Sequence, residues 1–116
     1  MNAVRVTQDP GGIRVGSHVA VADSWWRRLR GLLARPRLRD GEGMLLLGCD
    51  SVHTVGMEYP IDVAFLDAEG TVVHSRHRLP PWRVALGGRA AVHALELPAG
   101  RLDATGTVPG VRLIWS

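Results

Sequence analysis

The chain has 116 residues, 46% of them hydrophobic and 22% charged, with a formal net charge of +3. A chain of this length buries roughly two-thirds of its unfolded surface around one core and leaves no room for a second domain. All 14 basic residues are arginine. With no lysine and one tyrosine, almost nothing titrates between histidine and arginine, so the pI of about 10.4 overstates a small cationic excess and does not by itself point to nucleic acid.

No run reaches the ~18 uncharged apolar residues of a membrane-spanning helix. The longest comparable stretch, Gly43 to Cys49, is strand-sized. Near the start, Arg5, Gln8, Asp9 and Pro10 stand where an export signal needs an unbroken apolar segment, so residues 1–11 are expected to be loosely ordered and the protein cytoplasmic. Further along, Ile13, Val15, Val19 and Val21 alternate with Arg14, Gly16 and His18, the period of a half-buried strand. Asp23 or Ser24 then caps a predicted helix in which Trp25, Trp26, Leu29, Leu32 and Leu33 form one apolar stripe that ends before Pro36.

Met44 to Leu47 is a short apolar run consistent with a strand covered on both faces, and Ile61, Val63 and Phe65 begin another. Asp67-Ala68-Glu69-Gly70 reads as a hairpin turn, with a return strand from Thr71 to about His77. Leu79-Pro80-Pro81 and Gly87-Gly88 then predict an irregular stretch. Ala91, His93, Leu95 and Leu97 alternate with Val92, Ala94 and Glu96, and Val111, Leu113 and Trp115 alternate at the end. The expected fold is mainly β (α+β): a single domain over 1–116, with a small antiparallel sheet closed into a barrel-like or sandwich form and one amphipathic helix near the N-terminus.

Three stretches carry a resemblance: Arg30-Gly31-Leu32-Leu33; His53-Thr54-Val55-Gly56-Met57 through Pro60-Ile61-Asp62-Val63-Ala64-Phe65-Leu66-Asp67; and Leu95-Glu96-Leu97-Pro98-Ala99-Gly100. In this order and spacing they resemble the bacterial and archaeal family catalogued as domain of unknown function 192, over roughly Val19 to Trp115. The resemblance implies a compact, largely β domain with a helix near its beginning, and no established activity. Many similar proteins are exported. Similar proteins often carry an aromatic residue before the methionine of the central motif and an acidic residue after the glycine near the C-terminus. Here Gly56 precedes Met57 and Val111 follows Gly110.

The candidate site comes from polar residues on apolar faces. Asp62 shares a strand face with Ala64 and Leu66, and Glu96 shares one with Val92 and Ala94. A buried carboxylate needs a donor, a cation or a cleft open to water. If their strands are adjacent, His53, Asp62 and Glu96 form a polar pocket floor, with Thr54 beside it. Equally, each carboxylate can accept backbone N–H groups from the turns marked by Pro60 and by Pro98-Ala99-Gly100. Trp82, in the loop after Pro81, is either a lid over this pocket or an exposed contact, and the lid is the expected reading. Met57 reads as core filler.

Neither Cys49 with His53 nor His74 with His77 has the spacing of a metal site on strands, so no metal or cofactor is expected. The function expected is a non-enzymatic accessory domain that binds a small molecule or a protein segment near His53, Thr54, Asp62 and Glu96. One alternative is a hydrolase using Asp62 and Glu96 as acid and base. Another is an acidic partner or nucleic acid held by Arg27, Arg28, Arg30, Arg35, Arg37 and Arg39, with the nucleic acid a minority reading.

Overall fold

The computed structural model describes residues 3–22 and 37–116. Its strands are β1 (Ala3–Gln8), β2 (Arg14–Ala22), β3 (Glu42–Leu46), β4 (Ser51–His53), β5 (Ile61–Leu66), β6 (Val72–Leu79), β7 (Val84–Leu86), β8 (His93–Pro98) and β9 (Leu113–Trp115), with a short helix α1 (Arg101–Thr105) between β8 and β9. Seven strands form one sheet in the order β6-β5-β8-β3-β2-β1-β9, while β4 and β7 form a separate antiparallel ribbon. Within the sheet β2 and β3 run parallel, from His18 opposite Glu42 to Ala22 opposite Leu46. The other neighbours run antiparallel.

The sheet is buried on both faces, which explains why its central strands read as nearly continuous apolar runs. All six residues of β5 are buried. On one face Ala20, Met44, Leu46, Ile61, Val63, Phe65 and Ala94 pack together with Val52 and Ala85 of the ribbon and with Leu38 and Met57. On the other, Val15, Val19, Leu45, Ala64, Leu66, Leu95 and Leu97 pack against Val6, Leu102 and Leu113. Because β1 and β9 lie far from β5 in strand order yet share its second core, the sheet must curl strongly. Its two edges meet at one isolated bridge, Thr71 with Arg112, beside an N–H···O bond of 2.8 Å from Val72 to Val111. A single bridge is not a continuous ladder, so the sheet is strongly curled but not closed into a barrel, one of the two forms expected.

One further expectation changes, and another falls outside the described residues. The start thought to be loosely ordered contains β1, paired with β2 along one side and β9 along the other. Its last residue is anchored where Gln8 Nε2 donates to Thr107 Oγ1 at 3.0 Å and to the Thr105 carbonyl at 2.9 Å. The helix expected over Trp25 to Leu33 lies outside the described residues. Among those described, the α-helix is α1 near the C-terminus, entered through Gly100 at φ 91° and left through Gly106 at φ 64°.

The 67–70 hairpin forms as read. Asp67 Oδ1 accepts the N–H groups of Glu69 at 3.0 Å and Thr71 at 2.9 Å, and Gly70 takes the positive φ of 86° that closes the turn. Gly43 answers a different constraint, since a Cβ there would stand 2.7 Å from the Glu96 carbonyl oxygen and 3.0 Å from Leu97 Cδ2. Backbone at that distance cannot give way cheaply. Gly43→Ala is therefore expected to cost about 1–3 kcal/mol, read as a lower urea midpoint with an unchanged slope.

Candidate functional site

Asp62 and Glu96 do not share a site. Asp62 lies opposite Leu97, and Glu96 opposite Val63; alternate residues of a strand point to opposite faces. Asp62 therefore joins the face of Ala64 and Leu66, while Glu96 joins that of Val63 and Phe65. The sheet itself separates the two carboxyl groups, so they cannot act as acid and base on one substrate.

Asp62 is fully buried and its hydrogen bonds explain why it is tolerated. Its Oδ1 accepts the Arg78 N–H at 2.9 Å, and its Oδ2 accepts those of Gly100 at 3.1 Å and Leu102 at 2.9 Å. Arg78 has φ 49° and Gly100 φ 91°, so both donors belong to backbone kinked out of regular pairing. The carboxylate ties β5 to the irregular end of β6 and to the start of α1.

Glu96 is only 6% exposed, flanked across the sheet by Met44 and Val63. Among the described residues no group hydrogen-bonds to its side chain. Burial raises its carboxyl from 4.5 to about 8, because the charged form loses water and gains no partner. The next residue on its face, Pro98, lines a cavity of about 160 Å³ together with Arg37, Leu38, Tyr59, Pro60 and Ala99.

His53, Thr54 and Trp82 form a third place, at the ribbon. Thr54 is fully buried. Its hydroxyl donates to the Pro80 carbonyl at 2.6 Å and accepts the Arg83 N–H at 2.9 Å. Its backbone N–H donates to the Arg83 carbonyl at 2.8 Å, and its carbonyl accepts the Trp82 N–H at 2.9 Å. Held on both sides, Trp82 takes φ 63°, a left-handed conformation that a bulky residue rarely adopts. Its side chain is 65% exposed, so it is no lid. On β7 the small Ala85 turns into the core while Val84 and Leu86 face outward, 63% and 69% exposed. Exposed Ser51 and His53 stand opposite them on β4.

One further constellation escaped the sequence reading. Ser75 Oγ lies 3.4 Å from His77 Nε2, and His77 Nδ1 lies 3.4 Å from Asp103 Oδ1. The order of contacts imitates a hydrolytic triad, but both are long, His77 and Asp103 are well exposed, and Arg78 also approaches Asp103 at 3.8 Å. Water competes for every one of these bonds, so the cluster reads as surface ion pairing. Among the described residues no three His, Cys, Asp or Glu side chains converge as a metal site. Most of the arginine run at 27–39 lies outside the described residues.

Comparison with known proteins places nearly the whole chain in one family: the model of DUF192, described as an uncharacterized ACR, matches residues 6–115. The chain belongs to this family. A curated DUF192-like relative, a UPF0127 protein of Thermococcus sibiricus, is 31% identical over 101 residues, covering 84% of this chain. The matched region spans 65% of that relative's length. Among solved structures, a protein of unknown function from Novosphingobium aromaticivorans superposes with TM-score 0.83 at 22% identity, covering 97% of this chain and 84% of the other. A Sinorhizobium meliloti protein, provisionally described as a transcription regulator, gives TM-score 0.81 at 25% identity, covering 97% and 91%. The DUF192 fold is thus shared with both.

The two carboxylates predict opposite responses. Asp62→Ala strands three backbone donors and is expected to cost about 3–5 kcal/mol, with Asp62→Asn costing less, both measured by chemical denaturation at pH 7. For Glu96 the folded chain keeps its proton to about pH 8, whereas the unfolded chain loses it near pH 4.5. The folded state binds more protons across that window, so this group's contribution to stability falls as pH rises from about 4.5 to 8. Glu96→Gln removes this loss: the variant should match the wild type near pH 4.5 and exceed it by roughly 2–5 kcal/mol at pH 8, read from denaturation curves at both pH values.

Proposed function

We propose that this DUF192 domain is a non-enzymatic binding module that grips an extended segment of a protein partner with the outer face of the β4–β7 ribbon. The observation that carries the reading is Trp82, a large aromatic that is 65% exposed yet held in a left-handed backbone by the buried Thr54. Backbone strain of this kind costs of order 1–3 kcal/mol and persists where the surroundings over-determine it. An anchor already fixed in place loses little entropy on binding. Beside it stand Arg83, Val84 and Leu86, and tryptophan and arginine are the residue types most enriched at interface hot spots. Among the described residues the ribbon has only two strands, and an extended segment can add to the outer edge of such a ribbon. The exposed apolar stripe is short, the scale of a peptide more than of a second folded domain.

The acid–base alternative is not adopted, because the sheet stands between Asp62 and Glu96. Photo-crosslinking amino acids placed singly at Val84 and Leu86 in cells of the native host test the reading. They are expected to trap one defined protein band, lost on adding Trp82→Asn, which tolerates a positive φ. Probes at Ile13 and Val108, also exposed but away from the ribbon, should trap none. Equal labelling from all four positions would refute the ribbon as the contact face.

A further inference from the structure

Glu96 plays no part in the ribbon reading, and neither does the cavity beside it. The carboxyl sits on an apolar face between Met44 on β3 and Val63 on β5. No described residue bonds its oxygens, and the residue as a whole is 6% exposed. A core of this composition gains by replacing such a group with an apolar one, as burial of an unsatisfied polar group is costly. Along β8 the next residue on the same face is Pro98, about 6.6 Å onward by strand geometry, and there the cavity opens. Its walls are Leu38, Pro60, Pro98 and Ala99, with the Tyr59 ring on one side. The exposed Arg37 completes the lining, its guanidinium carbon 5.7 Å from the Tyr59 ring centroid.

We propose that Glu96 and this cavity form a binding site for a small aliphatic zwitterion, with its ammonium group directed inward to the Glu96 carboxylate and its own carboxylate at Arg37. Each part of the ligand answers a part of the site. A partnerless acid calls for a cationic donor, a guanidinium at the exposed end calls for an anion, and apolar walls between them call for a short hydrocarbon spacer. The cavity of about 160 Å³ limits the ligand to a handful of heavy atoms.

Binding carries a proton balance. The empty site holds Glu96 as the neutral acid at neutral pH; when an ammonium group arrives, the carboxyl gives its proton to solvent and the resulting carboxylate pairs with the cation. Among the described residues the ionisable groups at the site are Glu96 itself, Tyr59 and Arg37, while Met44 and Val63, which flank Glu96, do not titrate. Affinity therefore rises as pH approaches 8 from below.

The test uses 4-aminobutanoate on the full chain by calorimetry between pH 6 and 8, with 1-aminobutane and butanoate as single-ended controls. The expected result is saturable binding that tightens by about tenfold per pH unit and releases close to one proton at pH 7. Each control should bind at least about tenfold more weakly. Glu96→Gln should bind at least about tenfold more weakly with no pH dependence, and its unfolding midpoint shows that it folds. In parallel, the side-chain carboxyl resonance of ¹³C-labelled Glu96 should move to its ionised position when the probe is added at pH 7. No binding at about 10 mM probe, binding independent of pH, or binding unchanged in Glu96→Gln would each overturn the proposal.

Discussion

The Asp62 carboxylate is the contact on which the irregular half of this fold depends. Three backbone N–H groups, from Arg78, Gly100 and Leu102, end on its two oxygens. Two of those donors sit in left-handed backbone, where regular sheet pairing is lost and a buried N–H would otherwise go unsatisfied. Because β5 is buried on both faces, water cannot reach in to take the carboxylate's place. The charge is affordable because it is shared among donors that need it, and the bent end of β6 and the entry to α1 are held in register with β5 as a result.

Glu96 shows what happens without such donors. It lies one strand away, on the opposite face, and its surroundings offer Met44 and Val63 in place of N–H groups. The same residue chemistry thus has two outcomes on the two faces of the sheet: a carboxyl group satisfied by three N–H donors that fastens the frame, and one that no described residue bonds and that burial pushes toward its neutral form. The ribbon presents Trp82, Val84 and Leu86 to solvent while Val52 and Ala85 pack it onto the core.

Much of the sheet was legible because alternation survives where one strand face meets water, as in Ile13 to Val21, and because Asp67 and Gly70 spell their turn. β1 was not, because Val4 and Val6 give too few apolar positions to outweigh the Pro10-Gly11-Gly12 that follows. α1 escaped because five residues with one buried leucine, Leu102, carry no period. Parity within each strand correctly put Asp62 and Glu96 among apolar neighbours. Bringing them together required the register between strands, and the offset of one residue that pairs Asp62 with Leu97 has no signature in either strand alone. Trp82 looked like a lid because aromatics usually bury themselves; its exposure follows from a backbone lock by Thr54, about 95 Å away along a fully extended chain but adjacent in space.

Amide hydrogen exchange on the wild type and on Asp62→Asn tests the central claim most directly. The account predicts slow exchange at Arg78, Gly100 and Leu102 in the wild type, with protection in the variant lost selectively at the donors that face the new amide nitrogen, either Arg78 or the pair Gly100 and Leu102, while Leu45 in β3 stays protected. Fast exchange at all three in the wild type, or protection that survives the substitution unchanged, would contradict it.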